Sequence, residues 1–373
     1  MIQLRWKISI NMIIIDYMLM PILCRLQFSS KILKRYGKVF TSIGISKFDN
    51  TENSRYIGFR WLLLIREIIY LPFVLFSLII IKFKIKKIDL IHLNEITGLP
   101  TAIIAKLLFK KPHIVHVRSS NYRNKKNLIS NLHFFLLNKF ANKILAIDND
   151  ILKTVFIKKK KIILRNILDF KKQKFNNKNR NNKLIKIGYI GSYLKYKGLE
   201  NLIIAVQHLV HKGFHLELVV AGSVIKRNFL LKMLTRYLNI DNNINENLLR
   251  RKFINNLGFI SDVKKFYNKI DILCFPSSLN ATGRQIFEAG FFSKPVILCI
   301  KKRNCDGLIE EYNGISYRNF SSISQLKNKI LYFYYNRNLI KVMGKNGRKI
   351  AIKRNTKKNN IKILDSIYIK QLK

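Results

Sequence analysis

Ile185-Lys-Ile-Gly-Tyr-Ile190, followed by Gly191-Ser-Tyr-Leu-Lys-Tyr-Lys-Gly198, is an apolar strand that runs into a glycine turn, a lysine and then the start of a helix at Leu199–Val210. A strand that turns tightly into a helix is the opening of a parallel α/β unit, because the next parallel strand can be reached only by a crossover. The same alternation continues on both sides. Strand-like apolar runs are expected at Lys38–Ile43, Ile88–Leu93, Ile114–Val117, Ile144–Ile147 and Lys161–Leu164, with helices such as Pro100–Phe109 and Asn127–Phe140 between them. Downstream, Leu216–Ala221, Leu257–Phe259, Ile272–Phe275 and Val296–Ile300 read as strands, and residues 225 to 252 as a helix interrupted by asparagines. Ile323–Tyr335 is amphipathic, and the tail from Met343 reads as a basic helix with Gly344 and Gly347 near its start. Strand–helix–strand spacing of this kind predicts an α/β fold of two doubly wound, Rossmann-like domains with parallel sheets.

Between the two halves, residues 170–183 read FKKQKFNNKNRNNK, with six basic residues, no acid and little apolar content, the composition of a solvated linker. The expected organisation is therefore a first domain over 1–169, the linker at 170–183, a second domain over 184–345 and a basic C-terminal helix over 346–373 that crosses back to the first domain. The 373 residues suffice for two ordinary domains. An apolar fraction of 48%, with 25 Phe and 16 Tyr, suffices for two cores.

A second stretch, Asn280-Ala-Thr-Gly-Arg-Gln-Ile-Phe-Glu288, follows Pro276-Ser-Ser and precedes Lys294-Pro-Val-Ile297. It places Gly283 and the amides of Arg284 and Gln285 at a helix start, with the Glu288 carboxylate one turn in. Amides at a helix N-terminus and an ammonium nearby suit a diphosphate, and a carboxylate at that depth accepts hydrogen bonds from sugar hydroxyls. Together the two stretches predict a pocket for a nucleotide sugar. Each residue also has a plain structural reading: Lys197 as an exposed lysine at a helix start, Glu288 as an acid favoured by the helix dipole.

On these residues the second half, from about 184 to 345, resembles the retaining GT-B glycosyltransferases of family 4 (glycosyl transferases group 1). Gly191, Lys197-Gly198, Pro276-Ser277, Glu288-Ala289 and Pro295-Val-Ile297 carry the likeness, which extends more weakly to Asp89-Leu-Ile-His, Lys111-Pro-His-Ile-Val and Leu164-Arg-Asn-Ile-Leu-Asp169. The resemblance implies a donor site of Gly191, Ser192, Gly198, Asn280, Gly283, Arg284, Gln285 and Glu288. In it, Lys197 neutralises charge on the departing diphosphate and Glu288 binds the ribose hydroxyls. Two positions depart from the family: Ser192 stands where an arginine is usual, and Asn280 replaces the first glutamate, which contacts the transferred sugar.

In the first half, Arg118 ends the strand Ile114-Val-His-Val-Arg about where the family has a histidine. A guanidinium there would hold a phosphate or the donor sugar; a structural surface arginine is the competing reading. Asn94 and Glu95, at the end of Ile88–Leu93, are expected on the acceptor side. The implied activity is sugar transfer with retention to a cell-surface glycan or lipid-linked acceptor, with no metal or other cofactor. A nucleotide-sugar epimerase of the same fold and a non-catalytic basic binding protein are the rival readings.

The formal net charge is +50, from 70 Lys and Arg against 20 Asp and Glu. Biased use of Lys, Asn and Ile explains part of it, but not the shortage of acids. Such a surface attracts anionic lipid headgroups or phosphate-bearing substrates. No nucleic-acid motif or aromatic stacking platform accompanies it, so no nucleic-acid partner is expected. The four cysteines form no CxxC pair, and Cys274 and Cys299 lie in apolar runs, which predicts buried thiols rather than disulfides or zinc. Ile8–Cys24 superficially resembles a signal peptide but contains Asp16 and Pro21 and no small-residue cleavage site, and is expected to form a strand, a loop and the start of a helix. Ile68–Ile81 is apolar over 14 residues, short of the ~20 that span a bilayer. With Lys82, Lys84, Lys86 and Lys87 beside it, a core or membrane-surface helix is expected, with a membrane span as the alternative, and a cytoplasmic chain peripheral at the inner face of the cell membrane.

Overall fold

The computed structural model describes residues 12–15, 39–41, 71–72, 74–76, 78–83, 88–94, 98–118, 128–154, 161–168, 170, 183–224, 243–279, 282–301 and 305–372. It divides into two compact units, one of Met1–Ile167 with Lys358–Lys373 and the other of Leu168–Lys357.

The first unit is built on strands β1 (Met12–Ile15), β2 (Val39–Thr41), β3 (Leu90–Leu93), β4 (His113–Val117), β5 (Lys143–Ala146) and β6 (Lys161–Ile163), paired in parallel in the order β2-β1-β3-β4-β5-β6. A parallel sheet is covered on both faces, so its strands are apolar throughout. One face carries Ile91, Leu93, Val115, Val117, Ile144 and Ala146. It is packed by helical turns within residues 71–83, by α1 (Leu99–Phe109) and by α2 (Leu128–Phe140). A short α3 (Asn149–Thr154) follows β5. The other face presents Leu90, Ile114 and Leu145 to Ile361, Leu364, Ile367 and Tyr368.

In the second unit, β7 (Ile185–Ile190), β8 (Leu216–Ala221), β9 (Ile254–Asn256), β10 (Ile272–Phe275), β11 (Val296–Cys299) and β12 (Gly314–Tyr317) are parallel in the order β12-β11-β10-β7-β8-β9. The order reverses between β7 and β10, and in a doubly wound sheet ligands bind at the carboxyl ends of the strands at such a switch point. Helices α4 (Leu199–His211) and α7 (Ile323–Tyr335) cover one face. Helices α5 (Val263–Tyr267) and α6 (Arg284–Phe291) cover the other.

The C-terminal region consists of two helices rather than one. Helix α8 (Arg337–Asn355) packs on α6, extended backbone at Thr356 ends it, and α9 (Lys357–Leu372) supplies the residues that cover the sheet of the first unit. Gly344 and Gly347 thus lie in the middle of α8, not near a helix start. The edge strand β9 is Ile254–Asn256, not Leu257–Phe259, because Gly258 turns the chain at φ 61° and its amide donates to Asn256 Oδ1. β12, with only alternate apolar residues, had no sequence expectation behind it. Of the helix expected over 225–252, residues 225–242 lie outside the described residues, and Glu246–Arg250 is a 3-10 turn. Phe170, expected to open the linker, packs its ring against Phe291 and Phe292 at 5.6 and 5.1 Å. Cys274 and Cys299 are buried free thiols. Among the described residues no helix is long and apolar enough to cross a membrane.

Candidate functional site

Strand β7 leads directly into the first motif. The Gly191 amide donates to the Ala221 carbonyl at 3.0 Å, and the Tyr189 hydroxyl donates to the Ser192 carbonyl at 2.8 Å, which ties the turn to the sheet. Gly191 also backs onto Gly222: a Cβ on Gly222 would sit 1.8 Å from the Gly191 carbonyl oxygen. The chain then makes a 3-10 turn, Lys195–Lys197, and enters α4 through Gly198 at φ 77°. Gly198 has two reasons to be glycine. Its φ is left-handed, and a Cβ would lie 2.1 Å from the Pro276 carbonyl oxygen. The Lys197 ammonium lies 5.3 Å from the centroid of the Tyr196 ring, within cation–π range.

The second motif follows β10. Pro276–Ser278 lies against the first: the Ser278 amide donates to the Tyr196 carbonyl at 3.0 Å. Gly283 is the N-cap of α6, so the amides of Arg284 and Gln285 fall in its first turn, where a helix has no internal acceptors for them. A Cβ on Gly283 would come within 2.8 Å of the Phe275 ring. Glu288 is buried at 4% exposure. Its Oε2 accepts from the Tyr267 hydroxyl at 3.0 Å and its Oε1 from Arg284 Nε at 2.6 Å. Tyr267 also donates to the Gln285 carbonyl, which locks the first turns of α6 onto α5. The Arg284 side chain is therefore anchored along its own helix, through Nε, by Glu288.

The structure thus brings Gly191, Ser192, Lys197, Gly198, Gly283, Arg284, Gln285 and Glu288 to the carboxyl edge of adjacent strands β7 and β10, on either side of the switch point. A concavity of about 550 Å³ opens at the same edge, lined among others by Ser278, Lys301, Arg318 and Asn319. Asn280 lies outside the described residues. Two contributors had no expectation behind them. Gly222 was legible as the glycine ending Val219-Val-Ala-Gly222. Tyr267 carried no signal, being one more aromatic beside Phe266 at the end of a short helix.

In the first unit, Arg118 follows β4 and donates to Asn94 Oδ1 at 3.2 Å and to Asn166 Oδ1 at 2.9 Å. These two residues stand just beyond β3 and β6, so three strand ends meet at one guanidinium. Glu95 lies outside the described residues. Beneath the arginine, His92 and His116 are fully buried, their rings 6.2 Å apart. His92 Nδ1 shares a 2.8 Å hydrogen bond with the Tyr368 hydroxyl, and His116 Nε2 donates to the Leu164 carbonyl at 3.1 Å. Burial first, and the Arg118 charge second, hold His92 down to about 3. The same two causes, with His92 as a third, keep His116 well below its ordinary value. Both are neutral imidazoles at any physiological pH, which fits packed strand histidines rather than proton donors.

Known proteins share parts of this sequence and its fold. The family model described as "Glycosyl transferases group 1" matches residues 170–350. The capsular polysaccharide biosynthesis glycosyltransferase CapM of Staphylococcus aureus is 28% identical over 165 residues, which is 44% of this chain and 40% of that protein. The match thus spans well under two thirds of CapM. An uncharacterized glycosyltransferase, MJ1178 of Methanocaldococcus jannaschii, is 28% identical over 278 residues, 71% of each chain. Among solved structures, Anabaena Alr3699/HepE in complex with UDP superimposes with a TM-score of 0.65 at 16% identity, over 96% of this chain and 99% of that one. A glycosyltransferase from Rickettsia africae ESF-5 gives 0.62 at 14%, over 98% and 99%. At such identities the structural likeness speaks for the fold. Residues 170–350, just under half of the chain, resemble the glycosyl transferases group 1, and the two parallel-sheet, Rossmann-like units give it the GT-B fold.

Proposed function

We propose that this chain transfers a sugar, with retention at the anomeric carbon, from a nucleotide diphosphate sugar to a cell-surface glycan or a lipid-linked acceptor. The observation that carries the proposal is the convergence of the two motifs on the β7/β10 switch point. The Lys197 turn and the Gly283-capped helix lie at neighbouring strand ends, joined through Pro276–Ser278.

In this reading the first-turn amides of α6 receive the diphosphate, whose charge the helix dipole also favours. The Lys197 ammonium offsets the negative charge that grows on the leaving phosphate as the glycosidic bond breaks, a contribution larger in the transition state than in the ground state. The ribose hydroxyls donate to Glu288. An ionised carboxylate has about four lone-pair sites, so the bonds from Tyr267 and Arg284 do not exhaust it and instead fix its orientation. Asn280, with an amide in place of the family carboxylate, hydrogen-bonds the transferred sugar without adding charge. Arg118, oriented by Asn94 and Asn166, binds an anionic or hydroxyl-rich part of the substrate. Asn94 and Glu95 serve the acceptor side. No step requires a metal or other cofactor.

The test is a thermal-shift panel of nucleotide diphosphate sugars on the wild type, Lys197→Ala and Glu288→Gln. One donor should stabilise the wild type, and both substitutions should weaken that stabilisation by tenfold or more in half-saturating concentration, the equivalent of about 1.4 kcal/mol. Identical responses in all three proteins would remove the site assignment. Release of a modified nucleotide sugar without any acceptor would favour the epimerase.

A further inference from the structure

The helices on one face of the first sheet are apolar on their outer surfaces as well as their inner ones. In the helical turns within 71–83, Leu78 is fully buried, and Val74 and Ile81 pack beside it into the core. Leu75, Phe76, Ile80 and Phe83 point the other way, Phe76 at 66% and Phe83 at 85% exposure. Positions 72, 75, 76, 80 and 83 follow the spacing of a single helical face. The neighbouring α1 exposes Leu107, and α2 exposes Leu132 and Phe135. All three helical segments pack on the same side of the sheet, in one cluster with Ile91, Val115 and Ile144. A helix that is apolar all round is ordinarily covered on both sides, and a contiguous exposed apolar patch marks an interaction surface.

Charge identifies what covers it. Residues 71–83, 99–109 and 128–140 contain no Asp or Glu. Their only formal charges are those of Lys82, Lys106 and Lys139, and Lys84, Lys86, Lys87, Lys110 and Lys111 follow closely in sequence. Aromatic and aliphatic side chains interspersed with lysines, without a single carboxylate, complement a surface that is apolar a few ångströms down and anionic at the top.

We propose that this three-helix face docks on an anionic lipid bilayer, with Phe76, Phe83 and Phe135 entering the headgroup–acyl boundary and Lys82 and Lys139 pairing with lipid phosphates, while Lys106 is held by the Phe140 carbonyl and Asn142 Oδ1. The surface rests on the transferase reading only for its purpose, which is to bring the chain to a lipid-linked acceptor. Its physics is independent of the donor site.

The experiment is co-sedimentation of the full chain with vesicles of phosphatidylcholine alone and of phosphatidylcholine mixed with phosphatidylglycerol. At net charge +50 some attraction to anionic lipid is expected from any part of the surface, so the informative variants are charge-neutral. Phe76→Ser with Phe83→Ser, and Leu132→Ser with Phe135→Ser, should each lower partitioning onto the anionic vesicles by about tenfold or more, since each removes two exposed apolar groups that the bilayer would bury. Tyr335→Ser with Val342→Ser, which removes exposed apolar groups from the second unit, should leave partitioning unchanged. All the substituted side chains are exposed, and an unaltered circular dichroism melt confirms folding. Equal partitioning of the wild type onto both vesicle types, equal loss in all three double variants, or no loss in the first two overturns the proposal. Lys197→Ala should bind vesicles like the wild type, so failure of the donor site and failure of this surface are read separately.

Discussion

At the scale of single residues, the consequential group is the pair His92 and His116 with their partners Tyr368 and Arg118. Neutral histidines buried beneath a guanidinium cost nothing while the solution is above their ordinary pKa of 6.5. Below it, the unfolded chain takes up protons that the folded one refuses. Folded-state pKa values are lowered here, so stability is lost as pH falls from 6.5 towards the His92 value of about 3, and none is lost above 6.5. His92 contributes a slope that approaches about 1.4 kcal/mol per pH unit within that window, and His116 acts in the same direction. Urea denaturation of the first unit, followed between about pH 7 and pH 5, should show its midpoint fall, and His116→Asn should make the slope shallower. A flat midpoint over that range would mean that the histidines are not buried neutral. Arg118 was legible as the residue ending its strand, but its histidine neighbours' link to Tyr368 was not, because the His92–Tyr368 bond joins residues 276 positions apart.

At the scale of elements, the packing of α8 on α6 is set by glycines whose apparent role in sequence was only to mark a helix start. A Cβ on Gly344 would lie 2.0 Å from the Ser293 carbonyl oxygen, whereas one on Gly347 would meet nothing nearer than the Gly290 Cα at 3.5 Å. Gly344→Ala should therefore push α8 away from the turn that follows α6 and cost roughly 1–3 kcal/mol. Gly347→Ala should be neutral or raise stability by up to about 1 kcal/mol through helix propensity. Chemical denaturation of the two variants checks the contrast, and equal effects would place the contact elsewhere. The same scale shows what was legible. Buried parallel strands such as Ile185–Ile190 and Ile272–Phe275 are continuous apolar runs and can be read directly. The edge strand Ile254–Asn256 is half polar because one side meets solvent, so its apolar neighbours Leu257 and Phe259 drew the assignment instead. The placement of Lys197, Gly198, Gly283 and Glu288 was legible because it depends on spacing within one turn and one helix start. Tyr267 was not, since its grip on Glu288 comes from a neighbouring helix.

At the scale of the molecule, the chain leaves the first unit after Ile167, builds the whole of the second, and returns at Lys358 to finish the first. That return is more than a tether. Ile361, Leu364, Ile367 and Tyr368 are all buried, on a sheet face whose other apolar members are Leu90, Ile114, Leu145, Leu164 and Ile167. Removing four such side chains forfeits on the order of 6–12 kcal/mol of burial at about 1.5–3 kcal/mol each. The sheet residues beneath them would also be left open to water. Losses of that size match the entire stability of an ordinary domain, about 5–15 kcal/mol. A chain ending at Thr356 should therefore fail to fold its first unit although every strand of that unit's sheet is still present. Its second unit, complete through α8, should keep its own cooperative melt. Hydrogen exchange distinguishes the two units directly: amides of β3, β4 and β5 should lose protection in the truncated chain, while those of β7, β8 and β10 keep it. Retained protection in β4 would show that α1 and α2 alone hold the sheet, and that α9 contributes cover without being required for folding.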